Sequence, residues 1–393
     1  MKVALVASSY LPRLGALERH VDQLAQALAR QGVDVEVLAQ AAVRGVKAVE
    51  HRDGVIVRRF RTVVGSRRFP VAPGLWDALR REAHAFDLVD VHTLEPHLAF
   101  VASRCGFGRA VLTPHISIEH LLRRPHGPMT RLAFGRAGRI VCTSAIECQR
   151  LRESLPAVAE RVRHIPSGLD ITAIDGAGTV VGSGAVVLAV GALAKGKGLE
   201  RAVAAMAALG PEFRLVVVGD GPLRQKLRRR AHDLRVADRV QFTGPIPDRE
   251  LYQWLRAARV ALALCEQHDS GTRVSEALAA GAAVVASDTP AHREAAQRIG
   301  GNVVFVAAPG SPLDVADAVT HAAALHSSLP RLSRMSGRSW DLMAQSVWEL
   351  YQELVVGTPT PEREAGAVRL SFPAGARNGR LPAPDSEQVS VEA

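Results

Sequence analysis

Residues His268–Glu294 read HDSGTRVSEALAAGAAVVASDTPAHRE and follow a short apolar run, Val260–Cys265. The apolar run predicts a strand, and the Ser-Gly-Thr triplet at 270–272 predicts a turn. The residues after this turn predict a short helix that leads into a second strand at Ala282–Ala286. This succession of strand, turn, helix and strand is typical of an α/β fold with a parallel sheet.

The same stretch also predicts a binding site. A glycine turn that opens a helix after a parallel strand presents free backbone N–H groups and the positive end of the helix dipole, which suit phosphate or sugar oxygens. Glu276, one turn into the predicted helix, can accept both hydroxyls of a vicinal diol, as an acidic residue does for ribose in dinucleotide sites. The alternative is that Glu276 has no ligand and only interacts favourably with the positive end of the helix dipole. We interpret the stretch as a sugar-nucleotide pocket.

Apolar, strand-like runs alternate with amphipathic stretches along nearly the whole chain, which indicates parallel sheets covered by helices. The predicted strands of the first half are Lys2–Ala7, Val33–Leu38, Val55–Phe60, Leu88–His92, Ala110–Thr113, Arg139–Thr143 and Val162–Ile165. Those of the second half are Ala185–Val190, Phe213–Val218, Val240–Phe242, Val260–Cys265, Ala282–Ala286 and Val303–Val306. The predicted helices include Ala16–Arg30, His97–Cys105, Leu199–Leu209, Leu223–Leu234 and Arg338–Val355. Two doubly wound, Rossmann-like halves that face a cleft follow from this order, with ligands at the carboxyl ends of the strands.

The length of 393 residues favours two domains, because it exceeds what one core usually serves. We predict an N-terminal domain at 1–170, a glycine-rich linker at 171–184, a C-terminal domain at 185–335, a terminal helix at 336–356 and a disordered tail at 357–393.

Composition predicts a cytoplasmic protein. The four cysteines are scattered and form no CxxC pair, which argues against a disulfide framework or a zinc site and fits a reducing compartment. The N-terminal residues are typical of a first strand rather than a signal peptide. No apolar run reaches the ~18–20 residues that span a bilayer.

The positive charge is concentrated in the first half of the chain. Residues 1–180 hold 25 Lys and Arg against 17 Asp and Glu, a net +8, whereas the rest holds 24 against 22, a net +2. An anionic partner is therefore expected at the first half, either a membrane surface at its inner face or a lipid-linked acceptor. Nucleic acid is disfavoured, since aromatic residues make up only 4% of the chain and no nucleic-acid-binding motif is present. Mixed basic and apolar patches at 67–81 and 121–124 suit an anionic lipid surface, although they also fit a solvated basic face.

An ordered series of motifs resembles a known family from residue 2 to about 355. The motifs are Tyr10–Leu28, Val89–His97, Leu112–His120, Val190–Val203, Leu215–Leu227, Arg239–Leu264, His268–Glu294 and the helix Trp340–Leu354. On these residues the chain is similar to the family 4 retaining glycosyltransferases of GT-B architecture. The resemblance implies two Rossmann-like domains facing a cleft, with the last helix crossing back to the N-terminal domain.

The resemblance also implies the activity: transfer of a sugar from a nucleotide-diphosphate sugar to an acceptor hydroxyl, on a glycan or a lipid-linked precursor, with retention of configuration. The donor would bind the C-terminal domain and the acceptor the N-terminal one, with no cofactor and no metal ion. Consistently, no Asp-x-Asp pair follows a predicted strand to hold a divalent ion on the diphosphate.

Site residues are carried over from the family's motifs. The implied catalytic residues are His115, Lys197 and Glu276, and the acceptor-side residues are His92 and His115. The implied donor-binding residues are Gly15, Ala16, Lys197, Gly244, His268, Ser270, Gly271, Thr272 and Glu276. For each, a structural alternative exists: a solvated lysine, an ordinary helix turn or a buried structural histidine.

Three positions depart from the family's pattern. Ala16 stands where the family has a second glycine, His268 where it has the first acidic residue of a pair, and Ala192 where it tends to have arginine. Loss of one charge-assisted contact to the diphosphate would cost ~1.5–3 kcal/mol. A degenerate GT-B protein that binds without transfer therefore remains an alternative, as does a sugar-nucleotide epimerase. A dehydrogenase is disfavoured, since no GxGxxG turn follows the first strand.

Overall fold

The computed structural model describes residues 1–13, 15–41, 45–62, 71–93, 99, 109–116, 118–122, 127–180, 184–265, 271–326 and 339–356. Several predictions fall outside these residues: nearly all of the helix at His97–Cys105, the site residues His268 and Ser270, the basic residues at 67–69 and 123–124, and the tail at 357–393.

The first sheet has eight strands in the order β3-β4-β2-β1-β5-β6-β7-β8. Its strands are β1 Lys2–Ala7, β2 Asp34–Ala41, β3 Val49–Arg52, β4 Val55–Arg61, β5 Leu88–Thr93, β6 Ala110–Pro114, β7 Arg139–Cys142 and β8 Val162–His164. All neighbours pair in parallel except β3 and β4. The α-helices of this half are Ala16–Arg30, Pro73–Glu82, Ile118–Leu122, Gly127–Arg136 and Ala145–Ser154, joined by 3-10 turns at Ala83–Ala85 and Pro156–Arg161.

The second sheet has six parallel strands in the order β11-β10-β9-β12-β13-β14. Its strands are β9 Ala185–Val190, β10 Phe213–Val218, β11 Val240–Gly244, β12 Val260–Ala263, β13 Ala283–Ser287 and β14 Val303–Val306. The helices around it are Leu199–Ala205, Arg224–Asp233, Asp248–Ala257, Thr272–Ala279, Pro290–Ile299 and Pro312–His326, with a 3-10 turn at Ala237–Arg239. Each sheet has a hydrophobic core on both faces, which is why its central strands are continuously apolar.

The last helix, Trp340–Val356, packs on the first domain, against the helix Ala16–Arg30. It buries Met343, Val347, Leu350 and Leu354, which recur at helical spacing along one face. This confirms the predicted crossover of the C-terminal helix.

Two details correct the sequence predictions. The strand β3 was not predicted, because its residues VEHR are polar and mostly exposed at the sheet edge. Within the predicted linker, Ile171–Gly176 forms a helix, since Asp170 caps it by accepting the N–H of Ala173 and Ile174 is fully buried. None of the described helices is both long and apolar enough to span a bilayer.

Candidate active site

The strand orders define one ligand-binding edge in each sheet. In the first sheet β2 lies on one side of β1 and β5 on the other, so the order reverses between β1 and β5. In the second sheet the same reversal lies between β9 and β12. Ligands of doubly wound sheets bind outside the carboxyl ends of the strands at such points. The predicted residues Gly15, His92, Lys197 and Glu276 follow, or end, these four strands.

The loop after β9 carries Lys197 and contacts the loop after β12. Lys197 Nζ lies 3.8 Å from Cys265 Sγ. Gly198, which caps the next helix with a left-handed φ of 67°, lies so close to Leu264 that a Cβ would be 2.0 Å from the Leu264 oxygen. Only glycine fits there, and the close approach fixes the backbone of the loop that carries Lys197. The packing of this loop therefore places Lys197 at the reversal point of the second sheet.

The helix Thr272–Ala279 carries Glu276 and begins at Gly271. Gly271 has a left-handed φ of 69°, and a Cβ there would lie 2.7 Å from both the Ala291 oxygen and the Ala295 Cβ. Because Gly271 is buried against the next helix, close packing also requires a glycine here. Glu276 forms an ion pair with Arg273 of the same helix, and its side chain is 12% exposed.

The remaining predicted donor-binding residues are spread over other elements of the structure. Gly15 caps the helix Ala16–Arg30 with an extended backbone, and Ala16 is exposed at its first position. Gly244 ends the edge strand β11, two strands from β9, so it lies farther from the reversal point than Lys197 does. Ala192, the position without arginine, is exposed in the loop after β9.

On the first domain, three histidine rings come together at the carboxyl ends of the strands. His92 Nδ1 lies 3.1 Å from His115 Nε2. His20, which enters from the helix Ala16–Arg30, places its ring centroid 5.3 Å from that of His92 and 4.7 Å from that of His115. Burial lowers the pKa of His20 and His115 well below the ordinary value, and the neighbouring rings add to this. Both imidazoles are therefore neutral near pH 7.

Buried polar groups support this cluster from behind. The His92 Nε2 atom lies 3.2 Å from Asp90 Oδ2, and the Tyr351 hydroxyl donates to the same oxygen at 2.5 Å. His20 Nδ1 lies 3.2 Å from the Ser167 hydroxyl. His20 is thus held by a hydrogen bond to Ser167, and the carboxylate beside His92 is held by a residue of the C-terminal helix.

Among the described residues, the polar contacts between the domains include those of Asp248 and of Glu294. Arg19 of the first helix pairs with Asp248, the first residue of the helix Asp248–Ala257, at 2.5 Å. Burial raises the pKa of Asp248 against the opposing effect of Arg19, and the carboxylate of Glu276 raises it further. The helix Ala16–Arg30 therefore reaches the surroundings of Glu276, which brings the two binding edges together.

The second contact is made by Glu294 of the helix Pro290–Ile299. Its carboxylate accepts the Ser144 hydroxyl at 2.7 Å and the Ala145 N–H at 2.8 Å, at the start of the helix Ala145–Ser154. Burial alone would raise the pKa of Glu294, but these bonds and His164 outweigh it and lower the pKa to about 2. The carboxylate is thus a charged cap that links one domain to a helix of the other.

The sequence did not predict the roles of His20, Asp90, Arg273 or Tyr351. A signal existed for two of them. Asp90 stands two positions before His92 on the same strand, so the two share a face of the sheet. Arg273 stands three positions before Glu276 on the same helix, a spacing that brings two side chains together. His20 and Tyr351 come from distant parts of the chain, and the fold alone brings them to the cluster.

Two family descriptions match the chain. Residues 17–173 match "Glycosyltransferase Family 4", and residues 171–334 match "Glycosyl transferases group 1". Together they span residues 17–334, which include every described strand except β1.

Curated relatives agree with these matches. D-inositol 3-phosphate glycosyltransferase of Acidothermus cellulolyticus is 30% identical over 321 residues, which is 70% of each chain. Phosphatidyl-myo-inositol mannosyltransferase of Mycolicibacterium smegmatis is 28% identical over 95% of this chain and 99% of its own.

Solved structures show the same fold at low identity. Sucrose-phosphate synthase of Thermosynechococcus elongatus superposes with a TM-score of 0.72 at 19% identity, over 91% of this chain and all of that one. HepE of Anabaena, solved with UDP, superposes with a TM-score of 0.69 at 18% identity, over 90% of this chain and all of that one.

Proposed function

The chain belongs to the family 4 glycosyltransferases of GT-B fold, and on this premise we propose that it transfers a hexose from a nucleotide-diphosphate sugar to an acceptor hydroxyl, with retention of configuration and without a metal ion. The observation that carries the proposal is the placement of Lys197 and Glu276 on the loops and helices that follow β9 and β12, at the reversal point of the second sheet.

The donor side of the proposal assigns a task to each group. Glu276 accepts the two ribose hydroxyls, which must displace Arg273 from at least one carboxylate oxygen. Lys197, together with backbone N–H groups at the start of the helix Thr272–Ala279, stabilises the negative charge that develops on the departing diphosphate. In metal-dependent transferases a divalent ion stabilises this negative charge, and here Lys197 and the backbone N–H groups would do so instead.

On the acceptor side, His115 and His92 would meet the sugar and the attacking hydroxyl. A neutral imidazole can donate or accept one hydrogen bond there without placing a second cation near the anomeric centre. His92 is fully buried, so His115, which is only half-buried, is the histidine that reaches the ligand. Asp90 lies behind it, with its Oδ2 atom 3.2 Å from His92 Nε2.

For the acceptor, we propose a lipid-linked hydroxyl presented at an anionic membrane surface. Relatives are named for phosphatidyl-myo-inositol and for a diphosphopolyprenol. The helix Gly127–Arg136 exposes Met129 (37%) and Leu132 (45%) beside the exposed Arg131 and Arg136, a mixture that suits anionic headgroups. Leu121, by contrast, is buried in the core, so it does not contribute an apolar surface to the patch predicted at 121–124.

The two alternatives are not favoured. A protein that only binds a sugar nucleotide, or an epimerase, would be expected to resemble proteins of those kinds, whereas the named relatives are transferases.

A thermal-shift panel tests the proposal directly. UDP, GDP and ADP, each with its hexose conjugates, are added to the wild type, to Glu276→Ala and to Glu250→Ala. Glu250 is exposed on the neighbouring helix Asp248–Ala257 and serves as the matched control. We expect one nucleotide series to stabilise the wild type and the control, and the shift to vanish in Glu276→Ala, because only ligands of the folded state raise the melting temperature.

Turnover completes the test. Release of the nucleoside diphosphate in the presence of a lipid-linked acceptor, with the anomeric configuration of the product read by NMR, checks both transfer and retention. An inverted product would refute retention, and the absence of a shift with any nucleotide would refute the donor site.

A further inference from the structure

The histidine cluster has a geometry that the proposed sugar transfer does not require. One ring nitrogen each of His20, His92 and His115 lies within 4.8 Å of the other two. His20 and His92 are 5% and 1% exposed and His115 is half-buried, so solvent reaches the cluster beside His115. The three residues come from the first helix, from β5 and from the loop after β6, and are fixed by the fold rather than by local sequence.

We propose that His20, His92 and His115 form a binding site for a divalent transition-metal ion of the zinc type. In a tetrahedral zinc site with Zn–N of 2.0–2.1 Å, two ligand nitrogens are about 3.3 Å apart. The 3.1 Å between His92 Nδ1 and His115 Nε2 already meets this spacing. The third ligand nitrogen lies within 4.8 Å of the other two and must approach by up to about 1.5 Å, which a side-chain rotation supplies.

One of the other ring nitrogens is held as in known histidine sites. Ligating imidazoles usually donate their second N–H to a carboxylate or another acceptor, which fixes the tautomer. Here His20 Nδ1 forms a hydrogen bond with the Ser167 hydroxyl at 3.2 Å, whereas His92 Nε2 lies 3.2 Å from Asp90 Oδ2 without hydrogen-bond geometry. These contacts leave His92 Nδ1 and His20 Nε2 directed at the centre of the cluster. His20 Nε2 is buried and has no hydrogen-bond partner among the described residues.

The donor set also selects the kind of ion. Three imidazoles suit Zn²⁺, Cu²⁺ or Ni²⁺, whereas Mg²⁺ and Ca²⁺ prefer oxygen ligands. Three protein ligands leave a fourth position open for water or an anion.

This site is separate from the donor chemistry. The proposed transfer uses no metal ion, so bound zinc would be a ligand of the acceptor side and not a cofactor. Zinc binding can be measured without any substrate, and its test therefore does not depend on the proposed function.

The experiment titrates the full-length protein with Zn²⁺ in competition with a chromophoric chelator, and with Co²⁺ followed by its visible spectrum. The variants are His20→Gln, which removes one ligand, and Ser167→Ala, which removes only the support of His20. His84→Gln is the control, because His84 is exposed on the same domain and precedes the amino end of β5, whereas the cluster lies at the carboxyl ends of the strands.

We expect the wild type and His84→Gln to bind Zn²⁺ alike and to give the intense visible bands of four-coordinate Co²⁺. Loss of supporting residues costs roughly 10–100-fold in metal affinity, so Ser167→Ala should weaken binding by about 10-fold and His20→Gln by more than 100-fold. If His20→Gln fails to fold, the affinity of Ser167→Ala for Zn²⁺ is the measurement that tests the proposal. Equal affinity of the wild type and Ser167→Ala, or Co²⁺ spectra of six-coordinate type, would overturn the proposal.

Discussion

The hydroxyl of Tyr351 donates to the buried carboxylate of Asp90 at 2.5 Å, although the two residues are 261 positions apart along the chain. Burial raises the pKa of Tyr351 well above its ordinary value, and Asp90 adds to the effect, so the phenol stays protonated and remains a donor. The contact joins the C-terminal helix to the strand that carries His92.

Tyr351→Phe should lower the free energy of unfolding by about 1–3 kcal/mol, because it leaves a buried carboxylate short of one donor. Ser346→Ala, which removes an exposed hydroxyl from the same helix, should change it by less than about 0.5 kcal/mol. Urea denaturation measures both. Equal stability of the two variants would mean that Asp90 is satisfied by other groups.

Glu294 should make stability depend on pH in the acid range. Its pKa is lowered to about 2 from an ordinary 4.5, so its contribution is present above pH 4.5 and is lost as the pH falls toward 2. Glu294→Gln should therefore destabilise the protein at pH 7 and flatten the loss of stability below pH 4.5. Glu153→Gln, an exposed change on the helix that Glu294 caps, is the control and should keep the wild-type profile. If the dependence of stability on pH is the same in Glu294→Gln as in the wild type, the pKa of Glu294 does not differ between the folded and the unfolded chain.

Ala192→Arg should restore a cation beside the diphosphate. We expect the affinity for nucleoside diphosphates to rise by about 10-fold or more, since a hydrogen bond to a charged group contributes ~1.5–3 kcal/mol. The affinity for the uncharged nucleoside should not change. Ala208→Arg adds the same charge at an exposed position after the helix Leu199–Ala205, and should leave both affinities as they are. Calorimetry that finds equal gains in the two variants would attribute the effect to net charge alone.

The exposed apolar residues of the helix Gly127–Arg136 should contribute to membrane attachment. Replacing both Met129 and Leu132 by serine should weaken co-sedimentation with vesicles rich in phosphatidylglycerol by several-fold, since each apolar side chain inserted contributes ~1.5–3 kcal/mol at full burial. Leu313→Ser, at a residue 65% exposed on the second domain, is the control. Binding that is equal for all three proteins would place the membrane contact elsewhere or remove it from the proposal.

The rate of transfer should not fall in the presence of a chelator, because Lys197 and backbone amides are proposed to stabilise the diphosphate. Added Zn²⁺ should slow transfer, since it would occupy ring nitrogens that the acceptor side needs. Initial rates with EDTA, and with a zinc series, separate the two effects. A rate that falls on chelation would contradict metal-independent transfer, whatever zinc does.

The accuracy of the sequence predictions followed the amount of apolar burial. β1 and β9 were predicted to the residue, because a continuous apolar run between covering helices has few alternative structures. β3 was missed, since pairing with β4 alone determines it and its side chains are largely in water. Lys197 and Glu276 could be assigned to the segments after β9 and β12 because each lies in a recognisable motif that begins with a predicted strand. His20 could not, because its partners lie on other elements, and spacing along a helix does not reveal which ring faces it.

The bond between Tyr351 and Asp90 also has a consequence for the order in which the protein is made. A ribosome adds roughly 5–20 residues per second, so ~10–50 s pass between the synthesis of Asp90 and that of Tyr351. During that interval the surface of the first domain that binds the helix Trp340–Val356 is uncovered, and the carboxylate of Asp90 lacks the hydroxyl of Tyr351 as a donor. The histidines would therefore reach their final arrangement only after the whole second domain has been translated, which delays assembly of the acceptor side until the donor side is in place.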